Sequence, residues 1–193
     1  MLASALSREE INELPIRRYE GPVHLVAAPA ELAQAMADIL QESVLGFDTE
    51  TRPSFRVGES YPPALAQVAT ARAVYLFRLQ RLDCSAALAQ FLSAERIVKA
   101  GVGLAEDLRQ LRKSFQFTEK AVVDLSATAK RQGLAKTGVR TLAAAFLGFR
   151  IPKGSKTSNW AAAHLTPQQI AYAAMDAWAC RELYLKFREL RWV

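Results

Sequence analysis

The sequence predicts an α/β fold, a mixed β-sheet with helices packed against it. Two observations carry that expectation. Strand-like runs crowd residues 44–79, whereas from residue 84 onward helical spacing alternates with short extended runs. Size and composition agree: 193 residues, 51% hydrophobic and 23% charged, suit one domain with a single sizeable core.

In chain order, residues 1–21 read as an N-terminal extension and residues 22–193 as the domain. Residues 22–28 (PVHLVAA) form a strand. Residues 29–43 (PAELAQAMADILQES) follow with helical spacing, and Pro29 stands where a first turn tolerates it. Residues 44–51 (VLGFDTET) are apolar at one end only, which predicts a strand with one end exposed. Pro, Gly and Ser make residues 52–63 (RPSFRVGESYPP) a loop. Two further strands, 64–70 (ALAQVAT) and 73–79 (AVYLFRL), flank a tight turn at Ala71 and Arg72. Beyond them come a helix at 84–94, a strand at 96–101 and a helix at 104–115. Residues 121–133 begin extended and turn helical, and 138–149 form another helix. A basic loop, 150–160 (RIPKGSKTSNW), precedes the longest element, a helix over 166–190. Thr166 as N-cap, Pro167 at N1 and Gln169 at N3 give it a capping-box start.

The composition narrows the class. No apolar run approaches the roughly 20 residues that a membrane span needs. The start, MLASALSREEINELP, lacks a basic segment followed by a long apolar one, so no secretory leader is expected. Cys84 and Cys180 have no metal-site spacing; they fit reduced, partly buried side chains of a cytoplasmic protein. Lys and Arg outnumber acids 25 to 19, a surplus that favours polyanionic partners. Basic residues between Arg109 and Lys156 suit a solvated surface or a nucleic-acid interface.

Three groups of acids stand out. Asp48 and Glu50 are two apart on a strand, so both leave the same face, while Leu45 and Phe47 make the other face apolar. Two like charges at the mouth of a core strand repel, and a divalent cation relieves them. Asp107 opens a helix after the strand-and-glycine run in AGVGLAEDL. That run also opens a dinucleotide-binding unit, with Asp124 at the ribose-binding distance. Glu106 and Asp107 argue against it, because two carboxylates in the first helical turn repel a pyrophosphate. Tyr172 and Asp176, in YAAMD, are four apart and share a face of the last helix. Alanines at 171, 173, 174, 177 and 179 suit close packing, so Asp176 needs a partner.

In this order, FDTE, VGLAEDL and YAAMD resemble the DEDD superfamily of 3′–5′ exonucleases in its tyrosine-containing branch. The chain is similar to ribonuclease D and to the Werner syndrome exonuclease domain, from about residue 22 to residue 190, including SKTSNW before the last helix. Another branch of the superfamily has histidine five residues before the last acid. Here that position is Ala171, and His24 and His164 read as structural.

The resemblance implies an RNase H-like sheet and two Mg²⁺ or Mn²⁺ ions per active site. Asp48, Glu50, Asp107 and Asp176 would be the metal ligands, Asp48 shared between the ions and Asp107 helping to hold the second. Tyr172 would orient the attacking water. The reaction implied is removal of nucleoside 5′-monophosphates from the 3′ end of DNA or RNA. Thr49, Glu50 and Leu104 fall where the family's terminal nucleotide sits. Lys156, Ser158, Asn159 and Trp160 form a loop for phosphate or base contacts, with Trp160 equally readable as a core anchor. Phe55 and Arg56 are candidates for the substrate rim. A domain of the same fold that binds nucleic acid without catalysis is the alternative. Ribonuclease D carries helical nucleic-acid-binding domains after its catalytic one. With none in this sequence, binding is expected to rest on the domain's basic surface, a partner or self-association. DNA versus RNA and the oligomeric state stay open.

Overall fold

The computed structural model describes residues 7–54, 56, 58–152 and 158–193. Six strands form one sheet, in the order β1 (Val23–Val26), β4 (Val74–Arg78), β3 (Pro63–Ala69), β2 (Val44–Thr51), β5 (Val98–Gly101), β6 (Val122–Asp124). The mixed α/β sheet expected from sequence is therefore present. β2, β3 and β4 are antiparallel neighbours, and the remaining pairs are parallel. The β3–β4 turn is closed by Thr70, whose backbone N–H and hydroxyl both donate to the Ala73 carbonyl. Its hydroxyl also accepts from the Ala73 N–H.

Helices cover both faces. α2 (Pro29–Ile39), α3 (Ser85–Leu92) and α4 (Leu104–Arg112) lie on the face carrying Leu45 and Phe47, where Ile39, Phe91 and Leu108 complete the larger core. α5 (Leu125–Arg131), α6 (Val139–Leu147) and α7 (Pro167–Glu189) lie on the other. α7 begins as the capping box requires: Gln169 N–H donates to Thr166 Oγ1, and Thr166 N–H to Gln169 Oε1. Its buried alanines Ala173, Ala174 and Ala177 pack on Leu65, Ala69 and Leu76 of the central strands. Contact is closest at Gly46, where a Cβ would stand 1.9 Å from the Ala177 carbonyl oxygen and 2.8 Å from the Arg181 nitrogen. Only glycine lets the two backbones meet there.

Within the extension before Pro22, residues 15–19 are attached to the domain. α1 (Arg8–Glu13), which sequence spacing did not single out, starts at Ser7 with its own capping box. Arg17 N–H donates to the Arg150 carbonyl at 3.0 Å, and Arg150 N–H to the Pro15 carbonyl at 2.8 Å. Tyr19 packs against Trp178, with ring centroids 5.9 Å apart. α2 stops at Ile39 and α4 at Arg112, short of the ends expected from periodicity. Cys84 and Cys180 are free and buried. Among the described residues no helix is long and apolar enough to cross a membrane.

Candidate active site

The strand period puts Gly46, Asp48 and Glu50 on the β2 face that α7 covers, and the helix period turns Asp176 toward them. The Asp48, Glu50 and Asp176 carboxylates each offer an oxygen within 4.8 Å of the others. Asp107 arrives from α4, where the Thr49 hydroxyl donates to its Oδ1. That approach depends on Gly101, because a Cβ there would stand 2.3 Å from the Phe47 carbonyl oxygen. Two layers of the fold thus meet at one end of β2.

Crowding these acids disfavours their charged forms. Burial pushes Asp48 well above the usual carboxylate range, and the charges of Asp176, Asp107 and Glu50 add to it. Glu50 is raised to about 8, first by burial and then by Asp176 and Asp107. Burial lifts Asp176 to about 6 against the opposing pull of the Tyr172 phenol and the Arg140 guanidinium. Burial also raises Asp107, opposed by the Thr49 hydrogen bond. The Tyr172 phenol is pushed above its ordinary value by burial and by Asp176, so it keeps its proton at neutral pH.

Two polar groups are unpaired here. Asp176 is 4% exposed, and its Oδ1 has no hydrogen-bond partner among the described residues. Gln67 is fully buried, with neither amide atom partnered. Such a group costs about 1–3 kcal/mol when left unsatisfied. A divalent cation fits this donor set, since it would offset the repulsion and engage the orphaned oxygen. All-oxygen ligands suit Mg²⁺, Mn²⁺ or Ca²⁺. The Cys180 thiol is raised by burial and by neighbouring Asp48 and Asp176, so without a cation it stays protonated.

The expected substrate residues are spread more widely. Thr49 touches Asp107. Leu104 is 1% exposed and packed in the larger core, so in this conformation it presents almost no surface to a base. Trp160 is 4% exposed and lies 6.2 Å from the Tyr172 ring, the arrangement of a core anchor. Ser158, Asn159 and Trp160 line a cleft of about 820 Å³ beside Tyr172, together with Arg18 and His164. Lys156 and Phe55 lie outside the described residues. Arg56 is exposed and pairs with Glu59 at 4.0 Å. His24 stacks on Tyr75 on the edge strand, with centroids 5.2 Å apart. Sequence reasoning passed over Gln67, although one polar residue inside ALAQVA was the available signal.

Residues 23–191 match the sequence model of a 3′–5′ exonuclease family. The chain belongs to that family. It falls in the DEDD superfamily and is similar to ribonuclease D and the Werner exonuclease. The human exonuclease mut-7 homolog is 29% identical over 92% of this chain and 24% of its own length. The mouse bifunctional 3′–5′ exonuclease/ATP-dependent helicase WRN is 31% identical over 93% of this chain and 14% of its own length. The chain therefore spans about a quarter or less of these curated relatives. Among solved folds, the Aedes aegypti Nibbler EXO domain superposes with a TM-score of 0.80 at 24% identity, covering 92% of each chain. Escherichia coli RNase D superposes with a TM-score of 0.75 at 21% identity, over 89% of this chain and 46% of its own. These neighbours give the exonuclease domain an RNase H-like fold.

Proposed function

We infer that the protein is a metal-dependent 3′–5′ exonuclease of the tyrosine branch, hydrolysing phosphodiester bonds from the 3′ end of DNA or RNA and releasing nucleoside 5′-monophosphates. One observation carries the reading. Three carboxylates lie within 4.8 Å of one another, with a buried oxygen of Asp176 unpaired. Family membership over residues 23–191 supports it.

Asp48, Glu50 and Asp176 would hold one divalent ion, and Asp48 with Asp107 a second, Mg²⁺ or Mn²⁺ by donor type. Bound divalent ions supply Lewis-acid assistance at phosphorus and make water a competent nucleophile near neutral pH. The chain's residues do the rest. Tyr172, kept protonated by its surroundings, offers a hydrogen bond to orient the attacking water and is no general base. Thr49 holds Asp107 in place. Arg140, whose charge reaches Asp176, is a cation available to substrate phosphate. Ser158, Asn159 and Arg18 offer polar contacts along the cleft beside Tyr172, where single-stranded backbone would run. Cytoplasmic location belongs to the same reading, supported by two unpaired cysteines.

The test is a 5′-labelled oligonucleotide with Mg²⁺ or Mn²⁺. A ladder shortening from the 3′ end is expected, abolished by EDTA and by Asp48→Ala. Undiminished cleavage by the Asp48→Ala protein overturns the assignment.

A further inference from the structure

Gln67 sits at the centre of the sheet, in a strand buried along its whole length. Its side chain is fully buried, and neither Nε2 nor Oε1 has a partner among the described residues. An amide carries two donors and an acceptor, so leaving it unpaired in a core calls for a reason. The register supplies one. Gln67 is directly opposite Asp48 in the antiparallel β2–β3 pair, and opposed residues leave the same face of the sheet. On that face its neighbours along its own strand, Leu65 and Ala69, and opposite it on β4, Leu76, are apolar, as are the α7 alanines above. Leucine or methionine would suit those surroundings better. The polar group the ladder sets beside the amide is the Asp48 carboxylate.

We propose that Gln67 is a positioning residue: its amide, unpaired in this structure, turns its Nε2 onto Asp48 across the ladder and fixes the orientation of that carboxylate in the acid cage. An amide suits the task for an electrostatic reason. A lysine or arginine there would compete with a bound cation, and another acid would add to the repulsion. A neutral donor holds one Asp48 oxygen and leaves its remaining lone pairs to a ligand, as groups behind metal-binding side chains do. This inference rests on reading the cage as a divalent-cation site.

The test uses the whole chain carrying Gln67→Met or, as a second apolar replacement, Gln67→Leu. Mn²⁺ affinity is read by electron paramagnetic resonance, and thermal unfolding is followed in EDTA. Removing the amide is expected to weaken Mn²⁺ binding by about 10–100-fold, the range seen when groups behind metal ligands are lost. Unfolding in EDTA is expected to move by no more than a few degrees, because the lost hydrogen bond to Asp48 is offset by a better apolar fit. On a labelled oligonucleotide, kcat falls while the KM for the oligonucleotide holds. Folded Met and Leu proteins that bind Mn²⁺ as tightly as the unchanged chain overturn the proposal, whatever their turnover. An unchanged chain that binds no Mn²⁺ overturns the underlying cation site instead. The Gln67–Asp48 contact is then decided by a double-mutant cycle in EDTA with Asp48→Asn. Strictly additive shifts in unfolding temperature sink it, and a non-additive remainder of a few degrees supports it.

Discussion

On one face of β2, Leu45 and Phe47 are fully buried, and Phe47 meets Phe91 edge-on with ring centroids 6.0 Å apart. On the other, Gly46, Asp48 and Glu50 press against α7, with raised carboxyl pKa values and an unpaired oxygen on Asp176. Alternate residues of one strand thus do opposite work. The apolar side supplies burial, which favours folding at every pH. The acid side opposes folding until something neutralises it. The difference teaches that the candidate site is held in place by packing on its reverse side and by α7 more than by its own contacts, of which the Thr49–Asp107 hydrogen bond is one.

The comparison can be broken most decisively by exchanging neighbours. Asp48→Asn is expected to lower nuclease turnover by more than the roughly 10–100-fold typical of groups behind metal ligands, while raising the unfolding temperature in EDTA. A turnover assay and a melting curve on the same sample check both halves. Phe47→Ala should do the reverse. It is expected to cost about 3–5 kcal/mol of stability by urea titration, with turnover per folded molecule retained at low temperature. If both variants move activity and stability in the same direction, the two faces are not separate.

Gly46→Ala sharpens the contrast, because it adds no charge. The new methyl would overlap the Ala177 carbonyl, so a loss of about 1–3 kcal/mol or more is expected by denaturant unfolding. Turnover is expected to fall with it, since α7 carries Asp176.

The pH dependence separates the faces without mutation. A carboxyl group whose folded pKa is raised contributes stability below its unfolded pKa, and loses it as pH climbs through the folded value. Asp176 is raised from 3.8 to about 6 and Glu50 from 4.5 to about 8. In EDTA the unfolding temperature is therefore expected to drop by several degrees between pH 5 and pH 9, each kcal/mol shifting it by about 2–4 °C. Added Mn²⁺ should restore it at the upper end, and a flat profile in EDTA would contradict the account. Arg109→Ala sets the floor. It removes an exposed pair with Glu106, 2.6 Å long, and is expected to change stability by no more than about 0.5 kcal/mol.

Much of this was legible in the residues, for reasons of periodicity. A repeat of two places Asp48 and Glu50 together, and a repeat near 3.6 places Tyr172 over Asp176; neither depends on the rest of the chain. The capping box at Thr166 is equally local. What escaped is what depends on distant partners. The strand order β1-β4-β3-β2-β5-β6 arises from pairings across the chain, which spacing does not encode. Residues 14–19 look like a tail until Arg150 and Trp178 are seen against them. Trp160 reads from sequence as either a substrate contact or a core anchor, and its burial beside the Tyr172 ring, at the wall of the cleft, comes from partners distant in the chain. Gln67 looks unremarkable in ALAQVA because the meaning of a buried amide lies in the strand opposite.

The close approach at Gly46 has a consequence for the width of the acid cage. It falls two residues before Asp48 and beside Ala177, which follows Asp176 directly. The backbones that carry those two carboxylates are therefore spaced by main chain resting on main chain, and only the short Asp side chains are left to adjust. A larger residue at position 46 would wedge that span open from behind, without touching either acid.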